Sequence, residues 1–197
     1  MDTRRALPSD ADAITETIAT AFFDDPLWSW AFADEPKRAA QFRIWWRVFV
    51  DSTFRNAWTW VTGSCESVAL WTPPGGVELT SDEEAELIRL VGEFLPRDHG
   101  IEVLKVLARL EAAHPHDEPH YYLSIVATHD DHRGHGIGEA LLTENLELID
   151  AEHVGTYLES SNAGNLVRYA RLGFEPTGEV FVAEGRPVVT TMWRPAR

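Results

Sequence analysis

The sequence predicts an α/β fold in which a mixed central β-sheet carries helices on both faces. Three observations support this expectation. Tyr121, Leu123, Ile125 and Ala127 alternate with Tyr122, Ser124, Val126 and Thr128 in a β-rich run, the period of a strand. Past a short polar loop, Ile137, Leu141 and Leu148 recur at helical spacing, as do Leu142, Leu146 and Ile149. A second strand–helix pair follows, so two parallel strands joined by a crossover helix are expected. Two pairs of β-rich runs, 57–62 with 67–72 and 178–183 with 188–193, flank this centre as hairpins and make the sheet mixed.

Taken in order, Thr3 to Leu7 reads as a short first strand, and Pro8-Ser9-Asp10 as a turn and N-cap. Ile14, Ile18 and Phe22 sit four apart and predict a helix that Asp24-Asp25-Pro26 ends. Leu27-Trp28-Ser29-Trp30-Ala31-Phe32 is a compact aromatic segment. Asp34 and Pro36 open a long helix, with Phe42, Trp45, Trp46, Phe49 and Thr53 as its inner stripe. Such a stripe ordinarily packs a core; the alternative use is to wall a substrate cleft. Pro73-Pro74-Gly75-Gly76 starts a loop after the first hairpin. Ser81-Asp82-Glu83-Glu84 reads as a capping box for a helix through about Glu93. Phe94-Leu95-Pro96-Arg97 interrupts it, and a second helix covers 101–113. His114-Pro115-His116-Asp117-Glu118-Pro119 leads into the central strand. Residues 155–159 are the next strand, and Asn162 caps a helix ending near Leu172, with Gly173 at C′. Glu184-Gly185-Arg186-Pro187 turns the second hairpin.

The 197 residues suit one domain spanning 1–197. A formal net charge of −15 argues against nucleic acid as the main partner, because phosphate contacts need a basic surface. It equally disfavours anionic membranes. A single cysteine, Cys65, excludes an internal disulfide and fits a reducing cytoplasm. The N-terminus lacks an apolar h-region, so no signal peptide is expected, and no apolar run is long enough to span a bilayer. A monomer and a homodimer both remain compatible.

The stretch with most chemistry is the loop after the central strand. Gly134, Gly136 and Gly138 alternate there just before a helix. Backbone without Cβ curls tightly and brings several N–H groups to one point. The helix adds its unpaired N–H groups and positive dipole end, so together they suit a phosphate. A dinucleotide fingerprint would need glycine where Glu139 stands, and a P-loop would need a terminal Gly-Lys-Ser/Thr, which is missing. The fit is Arg-x-x-Gly-x-Gly, from Arg133 to Gly138. This resembles the pyrophosphate-binding motif of the GNAT superfamily of acyl-CoA N-acyltransferases. Asn162, then Tyr169 seven residues on, then Gly173-Phe174, resembles that superfamily's second signature, in the expected order. Further stretches are similar to its puromycin N-acetyltransferase branch: Ser67 to Pro73, Glu118-Pro119, Tyr157 to Ser161 and Tyr169 to Phe174. The likeness departs at Asp130, where the branch has proline, and throughout the first helices.

The resemblance implies a GNAT fold and an acetyl-CoA-dependent enzyme acting on a small-molecule amine. It implies that the strand splays from its parallel neighbour at Val126, Ala127 and Thr128. The freed backbone would hold the pantetheine arm, and an N–H near Val126 would face the developing oxyanion. Arg133, Gly134, His135, Gly136, Ile137, Gly138 and Glu139 would hold the pyrophosphate, with Arg133 adding a charge-assisted contact. Asn162 and Asn165 would sit beside the pantetheine. Tyr169 is the candidate acid for the leaving thiolate; a phenol pKa of about 10 lies just above that of a thiol. Glu159 is the first candidate to take the amine's proton or simply to hydrogen-bond the acceptor, and His120 is a weaker one. The apolar and aromatic first helices suggest an acceptor with an aromatic or other apolar body. The pairs His114/His116 and His129/His132 match no zinc spacing, so no metal is expected. Two further readings stay open: a non-catalytic acyl-CoA-binding module, and a protein lysine acetyltransferase.

Overall fold

A computed structural model of the protein describes residues 2–182 and 188–197. Seven strands form one sheet in the order β1-β2-β3-β4-β5-β7-β6. They are β1 (Thr3–Arg5), β2 (Thr59–Thr62), β3 (Ser67–Thr72), β4 (His120–Thr128), β5 (Gly155–Ser160), β6 (Glu175–Phe181) and β7 (Val188–Arg194). The β4–β5 pair is parallel and the other pairs are antiparallel, so the sheet is mixed. The helices are α1 (Ala11–Ala21), α2 (Pro26–Ala31), α3 (Glu35–Thr53), α4 (Ser81–Phe94), α5 (Arg97–Ala113), α6 (Ile137–Asp150) and α7 (Leu166–Arg171).

Helices cover both faces. On one, Ile14, Ile18, Trp45, Trp46, Leu90 and Val103 of α1, α3, α4 and α5 pack on Val68, Leu70, Ile125 and Ala127. Leu27 of α2 and Val106 of α5 extend this layer over Val180 and Val189. On the other face, Leu141, Leu142, Leu146 and Ile149 of α6 and Tyr169 of α7 pack on Ala69, Trp71, Tyr121, Leu123 and Leu158. Arg194 clamps this second layer, donating to both oxygens of Asp150 at 2.6 and 2.7 Å and to the Leu172 carbonyl at 2.9 Å.

Several boundaries differ from the sequence expectations, each for a local reason. Leu27–Phe32 is largely helical: Asp25, expected only to end α1, N-caps α2 by accepting from Leu27 and Trp28 N–H, with Pro26 in the first turn. The capping box of α4 is Thr80 with Glu83, one residue earlier than the Ser81 reading. Glu83 accepts from the Thr80 N–H at 2.7 Å. Helix α5 begins at Arg97 rather than 101, because Pro96 sits outside the helix and needs no N–H partner. Strand β6 starts at Glu175, three residues before the expected 178. The turn expected at Glu184–Pro187 lies outside the described residues.

The central strand carries one irregularity. Leu70 pairs with Ile125 but Trp71 pairs with Leu123, so Ser124 is an extra residue in β4. A bulge of this kind kinks the strand and re-aims its side chains. Tyr121 and Leu123 therefore face α6, whereas Ile125 and Ala127 face α1 and α3. The odd residues alternate as buried along the whole strand, as the sequence suggests, yet they serve two different cores.

Candidate active site

Strand β4 pairs with β5 only from His120↔Gly155 to Leu123↔Leu158, while it stays paired with β3 out to Thr128. Beyond the bulge the two parallel strands separate and leave a slot. His129 N–H donates to the Glu66 carbonyl, on the β3 side. Backbone groups alternate edges along a strand, so the N–H groups of Val126 and Thr128 face the slot. Ala127 points the other way; its carbonyl accepts from Ser67 Oγ at 2.9 Å.

The glycine loop stands at the top of this slot. Gly134 and Gly136 have φ of 81° and 75°, a region L side chains rarely adopt, and a Cβ on either would meet nothing within 4 Å. The loop therefore cups open space. Gly136 is the N-cap of α6 and offers no side-chain acceptor. Among the described residues, the N–H groups from Gly134 through Glu139 have no acceptor within the chain. Gly138 has a different duty: a Cβ there would lie 2.7 Å from Thr128 Oγ1, so its absence lets α6 close on β4. The residues present thus fit a diphosphate at this loop. Arg133, expected to touch that phosphate, instead donates to the Ala21 carbonyl and pairs with Asp130 at 2.9 Å, anchoring the loop to the end of α1. His135 is exposed and Glu139 half-buried.

Tyr169 reaches the slot from the opposite face. Its helix ends in a Schellman motif: Phe174 N–H donates to the Tyr169 carbonyl, Gly173 N–H to the Ala170 carbonyl, and Gly173 has φ of 94°. The Tyr169 and Phe174 rings meet edge-on at 6.1 Å, the contact that closes such a cap. The Tyr-x-x-x-Gly-Phe spacing is therefore a helix terminus that fixes the tyrosine. Tyr169 is 9% exposed and lines the cavity into which the slot opens. Burial first, and the charge of Asp25 second, push its pKa up to about 12. Asn165 lies beside it on the same cavity. Asn162, expected at the pantetheine, spends its side-chain oxygen on the Gly164 N–H at 2.9 Å.

The slot opens into a cavity of about 520 Å³ between the sheet and the α1–α5 layer. Trp28, Phe49, Leu87, Leu104 and Leu107 line its apolar part. Glu159 lies on its floor. Tyr122 and Tyr157 donate to Glu159 Oε2 and Oε1 at 3.1 and 3.0 Å. Burial is the largest cause that raises the Glu159 pKa, to about 7; Glu78 and Glu111 add to it and the two tyrosines oppose it. His120 does not reach this cavity; it bonds His114 and the Glu118 carbonyl and packs on Trp193. His114, half-buried, does line it, and burial lowers its pKa to about 4, so it is neutral.

Sequence reasoning missed three cavity residues. Glu78 follows the Pro-Pro-Gly-Gly turn and accepts from Ser124 Oγ at the bulge; burial raises its pKa to about 7. Asp25 accepts from Ser161 Oγ at 2.7 Å, tying α2 to the end of β5. Glu111 comes from the last turn of α5. Nothing in the local sequence marks Glu78 or Glu111; Asp25 carried an N-cap signal in Asp-Pro. No group of three or more His, Cys, Asp or Glu is arranged to hold a metal among the described residues. No helix among them is long and apolar enough to cross a membrane.

The fold has known counterparts. Residues 98–176 match the family model described as the acetyltransferase (GNAT) domain. That span holds the glycine loop, the slot, Glu159 and Tyr169. Solved structures share the fold over the whole chain. The histone acetyltransferase HPA2 and related acetyltransferase from Corynebacterium glutamicum is 26% identical, covers 100% of this chain and 96% of its own, and has a TM-score of 0.68. Arylalkylamine N-acetyltransferase 2 from Aedes aegypti is 14% identical over 99% of this chain and 98% of its own, at 0.66. The polyamine N-acetyltransferase of Drosophila melanogaster, which forms N-acetylagmatine, is 13% identical over 98% of both, at 0.66. The protein therefore has the GNAT acetyltransferase fold, and residues 98–176 carry the domain match.

Proposed function

We propose that the chain is an N-acetyltransferase that moves the acetyl group of acetyl-CoA to a primary amine of a small molecule. The observation that carries this reading is the meeting of three groups at one slot: the β4 backbone beyond its pairing with β5, the Tyr169 hydroxyl and Glu159, whose pKa burial raises. Acetyl-CoA, when bound, supplies the acyl thioester. The N–H groups of Gly134 to Glu139 would hold its diphosphate, and the β4 edge its amide-bearing arm. The Val126 N–H would donate to the acyl oxygen as negative charge grows there, a fixed dipole that needs no reorganisation. Glu159 would take a proton from the bound ammonium so that the neutral amine can attack, or from the amine nitrogen as the new C–N bond forms. Tyr169 would give its proton to the sulfur as the C–S bond breaks. A pKa raised to about 12 keeps Tyr169 protonated at neutral pH, so the proton is in place when the C–S bond breaks.

The similarity to the puromycin N-acetyltransferase branch supports a small-molecule acceptor over a lysine side chain in a protein. The largely apolar cavity also favours it. Four of the structural counterparts are named for arylalkylamines, polyamines or agmatine. The lack of an internal disulfide suits a cytoplasmic site of action. The test is CoA release from acetyl-CoA, read with a thiol reagent across a panel of aromatic amines, polyamines and lysine peptides. Stimulated release with a small amine supports the reading. Acetyl-CoA binding without release by any amine leaves a binding module. Preference for a lysine peptide by roughly ten-fold or more in kcat/KM, about 1.4 kcal/mol, rejects the small-molecule acceptor.

A further inference from the structure

The link between α1 and α2 crosses the open end of the slot. On one side, the Ala21 carbonyl at the end of α1 accepts from Arg133 of the glycine loop, which follows β4. On the other, the Asp25 carboxylate accepts from Ser161 Oγ at 2.7 Å, one residue past β5. Strands β4 and β5 are the two that part, so residues 22–24 run from the end of one to the end of the other. The link is also fastened from behind. The Arg38 guanidinium of α3 donates to the Phe23 carbonyl at 3.1 Å and to the Phe32 carbonyl at 2.7 Å, one on each side of α2. Helix α2 is thus held as a block, and it meets the end of β5 through Asp25.

Asp25 does more than start a helix. It is 8% exposed, and burial is the largest cause that raises its pKa. Its side-chain donors are the N–H groups of Leu27 and Trp28, at 3.0 and 3.2 Å, and the neutral Ser161 hydroxyl. A serine or asparagine would cap α2 about as well and bury no charge. What the carboxylate adds is a second acceptor oxygen: Oδ1 caps α2 while Oδ2 takes the Ser161 hydroxyl. The cap alone has no need of that second oxygen.

The tie joins the reacting parts of the site. Trp28 in the first turn of α2 walls the acceptor side, Glu159 lies two residues before Ser161, and Tyr169 lies eight residues after it; all line the one cavity with Asp25. Two other side-chain bonds in the segment from β5 to α7 are internal to it: Ser160 Oγ donates to the Asn162 carbonyl at 3.0 Å, and Gly164 N–H to Asn162 Oδ1 at 2.9 Å. The Ser161 bond instead reaches out of the segment to the acceptor wall. We propose that Asp25 is a positioning residue for the proton donor Tyr169: through Ser161 it fixes the segment leading to α7 against α2, so that acceptor wall and donor keep one register across the slot. This rests on the N-acetyltransferase reading and deepens it with a residue that acts through Tyr169 rather than on the reacting atoms. The charge of Asp25 raises the Tyr169 pKa, which places the two groups within electrostatic reach.

The experiment measures CoA release and hydrogen exchange in Ser161→Ala, which cuts the tie and leaves Asp25 to cap α2. Its kcat is expected to fall by roughly ten-fold or more with acetyl-CoA affinity unchanged. The amides of residues 161–169 are expected to exchange faster than in the parent. Placed in Tyr169→Phe, the same substitution is expected to lower kcat by less than about two-fold further, because the tie then has no donor to place. Asp25→Asn keeps a capping oxygen and offers its amide nitrogen to the Ser161 hydroxyl, so its kcat is expected to stay within about three-fold of the parent. Unchanged kcat or unchanged exchange in Ser161→Ala would overturn the positioning role and leave the enzyme reading intact. So would a full second loss in the Tyr169→Phe background, or a loss in Asp25→Asn equal to that of Ser161→Ala. No CoA release by the parent with any amine, despite acetyl-CoA binding, would overturn both.

Discussion

Tyr122 donates to Oε2 of Glu159 at 3.1 Å across the last stretch where β4 and β5 remain paired. The contact bridges the two strands just before they part, and it places the carboxylate at the mouth of the slot. Its tyrosine cannot neutralise the charge, so burial prevails and the Glu159 pKa rises to about 7.

A pH–rate profile follows directly. A base must be ionised to take a proton, and Glu159 and Glu78 both titrate near 7. The kcat/KM is expected to fall as pH drops below about 7, with an apparent pKa belonging to the coupled pair rather than to either residue. A profile flat from pH 6 to 8 would leave both carboxylates without a role in proton transfer.

The same shift predicts a stability effect of opposite sense to the activity. The folded pKa of Glu159 is raised above its ordinary value of 4.5. Its contribution to stability is therefore fully present below about 4.5 and is lost as pH rises through about 7. Glu159→Gln removes that loss. The variant is expected to gain Tm relative to the parent at pH 8 more than at pH 5, while its turnover falls. Calorimetric melting at the two pH values checks this, and an equal change in Tm at both would contradict it.

Tyr169→Phe keeps the ring that Phe174 packs against and deletes the hydroxyl. The Schellman cap depends on backbone and ring, so the fold is expected to survive. The kcat is expected to fall by roughly a hundred- to ten-thousand-fold, the usual range for a lost general acid, with acetyl-CoA affinity little changed. Full activity in a folded variant would make Tyr169 a packing residue.

Two glycines of the loop separate binding from folding. Gly136→Val puts a side chain into the open space of the cradle, at a φ of 75° that valine resists. Acetyl-CoA affinity measured by titration calorimetry is expected to collapse. Gly138→Val drives its Cβ to within 2.7 Å of Thr128 Oγ1, so its main effect is expected on Tm. Unchanged affinity in folded Gly136→Val would reject the diphosphate assignment.

The sequence alone determined the order of elements, the mixed sheet and the strand–glycine loop–helix sequence at its centre. Those features are local: alternation makes strands, glycines at alternate positions make a cradle, and Tyr169-x-x-x-Gly173-Phe174 is a helix cap whose bonds span six residues. It also singled out Glu159 and Tyr169, because each lies inside a short pattern. Only the tertiary structure decided what surrounds them. Ser124 as a bulge is invisible in a strand whose burial still alternates, since the extra residue shows only against β3. Glu78 and Glu111 lie 81 and 48 positions before Glu159 in the chain, in segments with no motif, and meet it only when α4 and α5 cover the slot. Arg133 reads as a phosphate ligand until folding brings the Ala21 carbonyl beside it. Local pattern records what a segment can form by itself; which charges share a buried cavity depends on contacts between segments that no single stretch encodes.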